Sequence, residues 1–332
     1  MPKFQAGMPW PDDRQTGPDE DREVMLNIVS IGEVLWDIVG REEYLGGASF
    51  NFSAHLSRLG HSVSFISAVG ADERGKTVIE NMSQLGLTTE YLHIDNDHPT
   101  GTVSVALASD GQPKFVLHRP AAYDFPRLTA AQFDQLFSRP VNWVYFGTLH
   151  QMSPQARQLT TDLLDRASEA RRFYDVNLRA DAYTPTLIQQ LMSRATIVKL
   201  NHEEVEAIAR MFGTRHRSLE EFCRNYADLY KWAGVCVTGG SLGCSVLMDG
   251  KYIEAHGYPI QVVDTVGAGD AFAAAFLHGL GSGWSPPKIA DFANRVGALV
   301  ASRRGAIPDW TISEANALQS GIGTRIGRLE TA

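Results

Sequence analysis

The chain has 332 residues, 44% hydrophobic and 20% charged, which is ordinary for a globular protein and enough for one large α/β domain or a domain with a smaller appendage. A formal net charge of −8 argues against nucleic acid or an anionic membrane as the main partner, because both recruit basic surfaces. No apolar run reaches the roughly eighteen residues a transmembrane helix needs. Cys223, Cys236 and Cys244 form no C-x-x-C pair, and Glu206 stands where a helical partner for His202 would fall, so a reducing cytoplasm and no histidine metal site are expected.

Residues 1–24 are proline-rich, acidic and aperiodic and predict a poorly ordered tail, with Met25 as an alternative start. From Leu26 the rhythm is apolar strand, glycine-rich turn, helix. "LNIVSIGEVL" reads as a strand entering a turn, and "ASFNFSAHLSRLG" as a helix with Phe52, Leu56 and Leu59 on one side and Gly60 closing it. "SVSFISAVG" is a strand and "KTVIENMSQLG" a helix. "TGTVSVALASDGQPKFVLHR" alternates on both sides of Asp110-Gly111 and predicts a hairpin that leaves the main sheet as a small lid, mainly within 90–120. "NWVYFG", a helix near 154–170, "RRFYDV", "ATIVKL", "GVCVTGG" and "CSVLMDG" resume the alternation, and two helices, "GAGDAFAAAFLHGL" and "PKIADFANRVGALVASR", finish it. Such alternation predicts a mostly parallel sheet covered on both faces, with ligands at the carboxyl ends of its strands.

Gly70 to Thr77 reads G-A-D-E-R-G-K-T, matching the phosphate-loop pattern G-x-x-x-x-G-K-S/T between a strand and a helix. Asp72 and Glu73 place two carboxylates where the backbone should cradle polyphosphate, so the match reads as coincidence. The stronger anion site is "DTVGAGDAFAAAFLHGL", residues 264–280. Gly267, Ala268 and Gly269 lead into a helix start whose unpaired N–H groups and partial positive charge suit a phosphoryl group. Asp270 in its first turn is placed to accept a proton from an attacking hydroxyl; alternatively it stabilises the helix dipole while Asp264 caps the turn.

Asp264 to Gly279 resembles the second signature of the ribokinase-like, PfkB-type carbohydrate kinases, D-T-x-G-A-G-D-x-F. "GGASFNFSAHLSRLG", residues 46–60, resembles the first, with Ser53 where alanine is usual, and "VGADERGK" resembles the family turn V-G-x-D-x-x-G. The resemblance implies a three-layer α/β/α fold with a mostly parallel sheet and a small β lid over residues 25–320, followed by a C-terminal tail at 321–332. It implies Asp270 as general base and an anion hole of Gly267, Ala268, Gly269 and the Asp270 N–H. It implies a sugar site of Asp37, Gly46, Gly47 and Asn51, Asn51 otherwise capping or back-bonding within its helix. Asn201 and Glu204 resemble the family N-x-x-E motif, which helps hold magnesium through water, although an ordinary helix start explains them equally.

Thr238, Gly240 and Gly243 of "TGGSLG" resemble the nucleotide loop, or a plain hairpin, and Asn294 falls where the family places an amide near adenine. Asp264, Val266, Val300, Arg303 and Gly305 match positions that surround a monovalent cation, possible potassium, in relatives. "YDVNLR" resembles fructokinase-type members more than ribokinases proper, with Asn177 toward the nucleotide phosphates and Arg179 stabilising charge during transfer. Arg119 is a candidate sugar contact from the lid, or a surface salt bridge. The implied reaction is ATP- and magnesium-dependent phosphorylation of a primary hydroxyl on a free sugar, fructose first, with a ribokinase, a 2-keto-3-deoxygluconate kinase or a catalytically silent sensor as alternatives. The alternating segment 100–118 suits a homodimer through the lid.

Overall fold

The computed structural model describes residues 24–107, 113–179 and 182–319. Strand β1 (Asn27–Ile31) opens the main sheet, and the chain then leaves it for β2 (Leu35–Val39) and β3 (Glu42–Gly46) before helix α1 (Ala48–Arg58). Next come β4 (Ser62–Gly70), α2 (Glu73–Gln84), β5 (Leu92–Asp95), and the outlying pair β6 (Gly101–Leu107) and β7 (Pro113–His118). Helix α3 (Ala130–Leu136), β8 (Trp143–Phe146), α4 (Pro154–Arg166), β9 (Arg171–Asp175), α5 (Pro185–Met192) and β10 (Ile197–Asn201) follow. The chain continues through α6 (His202–Phe212), α7 (Leu219–Tyr230), β11 (Gly234–Thr238), β12 (Gly243–Met248), β13 (Lys251–His256), α8 (Ala268–Gly281), α9 (Pro286–Ala301) and α10 (Ile312–Ala317).

The main sheet has the order β13-β12-β11-β10-β9-β8-β1-β4-β5, and its pairings are parallel except at the β11–β12 and β12–β13 edge. One apolar cluster joins α1, α8 and α9 to one face, and a second joins α4 to α7 to the other. This is the three-layer α/β/α arrangement the strand–helix alternation predicts. Helix α1 departs from its expected one-sided pattern, because every residue from Ala48 to Leu56 is buried. It lies between the sheet and α8, so even Ser49, Asn51, Ser53 and His55 are enclosed.

The lid is larger than the sequence suggests. Its sheet has the order β3-β2-β6-β7, so half of it comes from residues 35–46, and β5, inside the expected lid span, joins the main sheet instead. A two-residue turn at Gly40-Arg41 makes the missed hairpin, with Val39 opposite Glu42 and Gly40 at φ 64°. Asp37, which follows the first strand of the main sheet in the chain, therefore lies within a lid strand. The expected Asp110-Gly111 turn and both expected tails fall outside the described residues, save Val24.

The phosphate-loop look-alike is a structural turn. Asp72 caps α2 by accepting the Gly75 N–H at 2.8 Å, and its other oxygen accepts the Thr100 N–H at 2.8 Å, anchoring the entry to lid strand β6. A Cβ on Gly75 would fall 2.2 Å from the Gly70 carbonyl oxygen, so packing accounts for that glycine. Lys76 is exposed and pairs with Glu73, and the Thr77 hydroxyl donates to the Glu73 carbonyl at 3.0 Å. Lys76→Ala is therefore expected to change stability by less than about 0.5 kcal/mol and leave nucleotide affinity unchanged, whereas Gly75→Ala lowers stability by more than about 1 kcal/mol. Urea unfolding and nucleotide titration check both.

Candidate active site

The site begins at the turn before α8. Gly267 is its N-cap, at φ 76°, with no side-chain cap of its own. The Ala268 N–H bonds the Thr265 carbonyl at 3.3 Å and the Asp270 N–H bonds the Gly267 carbonyl at 3.1 Å. Among the described residues, the amides of Gly267 and Gly269 have no such partner, so these two are the donors available to an anion. Asp270 stands beside them, part-buried, with its Oδ2 accepting the Asn51 Nδ2–H at 2.8 Å. Burial raises the Asp270 carboxyl to about 7; the Asn51 bond, Lys199 and Arg179 pull it down, while Asp175 pushes it up. A carboxylate near neutrality is suited to taking a hydroxyl proton.

Asn51 brings the expected sugar residues to the same place. A Cβ on Gly46 would lie 3.0 Å from Asp37 Oδ2 and 3.9 Å from Asn51 Oδ1, so the glycine leaves room between an acid and an amide. Gly47, at φ 111°, packs on the Glu33 carbonyl, where a Cβ would fall 2.6 Å away. Glu33, absent from the sequence-based site, is buried at the end of β1 and accepts the Ala48 N–H at 3.0 Å, fixing the start of α1. Burial raises the carboxyls of Glu33 and Asp37, and Arg179 opposes the shift in both. The charge of Arg179 thus acts on Glu33 and Asp37 as well as on Asp270, a different emphasis from the phosphate-side role its motif implies. Arg119 is already engaged. It forms a two-nitrogen ion pair with buried Asp124 and donates to the Leu149 carbonyl at 3.3 Å, so it braces the segment after lid strand β7 and has little left to offer a substrate.

The residues expected on the nucleotide side sit at the carboxyl ends of β9, β10 and β11. Asn177 turns the chain with φ 37°, a conformation asparagine tolerates. Glu204 ties this turn down: its Oε1 accepts the Leu178 N–H and its Oε2 the Asn201 N–H, both at 2.8 Å, while Asn201 Oδ1 accepts the Glu204 N–H. The capping box and the positioning of the 177–179 loop are one interaction. With both oxygens so engaged, Glu204 suits a water-mediated metal contact better than a direct one. No cluster of three or more acid, histidine or cysteine side chains that could hold a metal exists among the described residues.

"TGGSLG" is the hairpin between β11 and β12, with Thr238 at its base, Gly240 at φ 58° and Gly243 at φ 100°. A Cβ on Gly243 would fall 2.0 Å from the Ala255 carbonyl oxygen, so that glycine is required by packing. Asn294 donates to the carbonyls of Ala255 and His256, each at 3.2 Å, so its amide N–H groups are already occupied by the chain around β13. Asp264 accepts the N–H groups of Val266 and Gly305, both at 3.0 Å, joining the two segments of the expected cation site. The Arg303 side chain goes to Glu314 and the Asp309 carbonyl, and buried Val300 carries no side-chain oxygen, so only main-chain oxygens could serve a cation at those positions.

Lys199 was not singled out from the sequence. Its ammonium is buried, bonds both oxygens of Asp175 at 2.9 and 3.0 Å, and lies 3.9 Å from where a Cβ on Gly269 would sit. Asp175 heads the causes that keep its proton on against burial, with Glu204 and Asp270 adding to it. The available signal was a lysine inside the apolar run "TIVKL" of a strand buried on both faces.

Residues 25–312 match the family model described as pfkB family carbohydrate kinase. The chain belongs to this family. It is a sugar kinase, a phosphotransferase with an alcohol group as acceptor. It is 30% identical to a fructokinase of Escherichia coli over 276 residues, covering 79% of this chain and 87% of the relative. An uncharacterized sugar kinase of Pyrococcus horikoshii, solved in complex with ATP, is 28% identical with a TM-score of 0.72, over 84% of this chain and 94% of that one. The 2-dehydro-3-deoxygluconokinase of Thermotoga maritima shares the fold, with a TM-score of 0.78 at 20% identity over 89% and 98%.

Two consequences follow from Asp270. Its base form exists above about pH 7, so turnover should fall as pH drops through that value, and Asn51→Ala, which removes a bond favouring the anion, should move this limb to higher pH. Because the folded-state value is raised, Asp270 costs stability above about pH 7, and the cost fades as pH falls toward the unfolded value of 3.8. Asp270→Asn should therefore be more stable than the wild type at pH 8, with the difference shrinking by pH 5. Rate–pH profiles and urea unfolding at the two pH values measure these effects.

Proposed function

We propose that this kinase transfers the γ-phosphoryl group of ATP to a primary hydroxyl of a free, uncharged sugar, fructose first among the candidates. One observation carries the reading: Asn51, on the helix beside the sugar residues, holds the carboxylate of Asp270 next to two unpartnered amides at the start of α8. Asp270 accepts the hydroxyl proton as the sugar oxygen bonds the γ-phosphorus and the bond to the β–γ bridging oxygen breaks, releasing ADP. The amides of Gly267 and Gly269, with Lys199 close to Gly269, face the charge on the transferred group; one such donor is typically worth about 3–4 kcal/mol of barrier.

Asp37 and Asn51 offer acceptors and an amide to sugar hydroxyls. The E. coli fructokinase and the "DVNLR" segment support fructose, and the commitment of Arg119 to Asp124 disfavours a sugar phosphate. A ribokinase or a 2-keto-3-deoxygluconate kinase is the second reading; for the latter, Arg179 is a cation that could meet the substrate carboxylate, although the acids it acts on compete for it. A silent sensor would leave the ionisable base and free amides without a purpose.

Magnesium bound with ATP would neutralise phosphate charge, and Glu204 would accept a hydrogen bond from one of its waters. Potassium between the Asp264–Val266 turn and the main chain of Val300, Arg303 and Gly305 would be seen as a loss of turnover on its omission. Val39 and Val116 are exposed apolar residues on the lid sheet and support a homodimer through it; sedimentation showing only monomer at micromolar concentration refutes that pairing. The chain's small soluble substrates suit the cytoplasm, to be checked by fractionation.

The decisive experiment measures ADP release from Mg-ATP with fructose, ribose and 2-keto-3-deoxygluconate, using fructose 6-phosphate and adenosine as outgroups. Turnover with fructose, reduced by about 10²–10⁴ in Asp270→Asn, is the expected result. ATP binding without turnover on any sugar would favour the sensor.

A further inference from the structure

Asn51, His55 and Arg58 recur at helical spacing along α1. Asn51 reaches Asp270. One turn later, His55 is fully buried and both its ring nitrogens are engaged: Nδ1 lies 3.0 Å from the indole nitrogen of Trp310, and Nε2 lies 3.0 Å from the Ala306 carbonyl oxygen. An indole N–H only donates and a carbonyl only accepts, so the imidazole is neutral with its proton on Nε2. At the next position on that side, Arg58 donates to the Pro308 carbonyl and pairs with Asp309 at 2.8 Å.

The loop gripped in this way is the wall behind the anion-binding turn. A Cβ on Gly267 would fall 2.4 Å from the Ala306 carbonyl oxygen and 2.6 Å from its Cα, so the two backbones are in direct contact. The neighbouring Gly305 N–H bonds Asp264 at the head of the same turn. The turn is rich in small residues and its N-cap glycine has no side chain, so its restraint must come from what packs on it.

We infer that His55 is a positioning residue: fixed in its Nε2–H form by Trp310, it holds the Ala306 carbonyl against Gly267 and thereby aligns the amides of Gly267 and Gly269 with Asp270. The catalytic consequence rests on the kinase reading above; the structural clamp does not.

The test compares His55→Ala, His55→Asn, His55→Gln and Trp310→Phe, with Leu163→Ala on α4, in the apolar cluster on the other face of the sheet, as a destabilised control. Hydrogen exchange over residues 264–271 should rise in His55→Ala and His55→Asn. Their kcat should fall about tenfold or more while the sugar KM stays within about threefold, the pattern of a lost transition-state interaction. His55→Gln, which retains a donor near the place of Nε2, should recover most of the rate. If His55→Ala does not fold, Trp310→Phe carries the test: its His55 ¹⁵N resonances should leave the pure Nε2–H pattern and kcat should fall. Wild-type exchange and kcat in the folded variants would overturn the proposal, as would an equal kcat loss in Leu163→Ala at matched stability. Should the wild type phosphorylate no sugar, exchange and ¹⁵N shifts still decide the clamp, and only the kinase reading fails.

Discussion

A side-chain amide on α1 holds a carboxylate at the start of α8, 219 residues later in the chain, and the rest of the site is arranged around that bond. A carboxylate beside a helix N-terminus would ordinarily stay ionised at low pH, because the dipole and the free N–H groups favour the anion. Here burial wins and lifts Asp270 into the neutral range, while Asn51, Lys199 and Arg179 keep it from rising further. Removing water makes the group a usable base, and the opposing charges keep it able to lose its proton. The fold must therefore bring α1, α8 and the ends of β9 and β10 together closely enough to exclude solvent. The almost complete burial of α1 and the small side chains of α8 are what permit that approach.

The same demand explains why acid groups around the site perform more than one task. Glu33 fixes the start of α1, Glu204 joins the 177–179 loop to the start of α6, and Asp264 joins the turn before α8 to Gly305. Each accepts main-chain N–H groups that would otherwise be orphaned near the ends of strands and helices. Mobile loops at the carboxyl ends of a parallel sheet are thereby converted into surfaces with fixed donors. A preorganised site of this kind needs no rearrangement of dipoles when phosphoryl charge develops.

Much of this was legible in the sequence, for identifiable reasons. The parallel sheet follows from strand–helix alternation, and the small-residue turn that leads Asp270 into a helix start follows from G-A-G-D, because both signals are local. The lid's first hairpin was hidden because "GEVLWDIVGREEYLGG" reads as one strand running into a loop, and the two-residue turn at Gly40-Arg41 is a weak mark. Lys199 was hidden because a lysine in a strand usually faces water, and only the pairing of β9 with β10 puts Asp175 beside it. The Asn51–Asp270 bond joins two separately recognisable motifs; their contact is a tertiary fact. The look-alike phosphate loop failed for the converse reason. Its letters fit, but Asp72 takes the Gly75 N–H group that a phosphate would require.

Charge commitment also bears on the choice of substrate. Arg119 belongs to Asp124 and Lys199 to Asp175, so neither cation is free to bind an anionic sugar by a charge of its own. Arg179 has no side-chain partner among the described residues, yet its field falls on Asp37 and Glu33, two acids that burial already biases toward protonation. A neutral polyol can bond Asp37 while Arg179 remains its counter-charge. An anionic substrate would instead compete with Asp37 for Arg179, stripping the acid of its stabilising charge and leaving it desolvated. That opposition favours an uncharged sugar on electrostatic grounds, independently of which relatives the chain resembles.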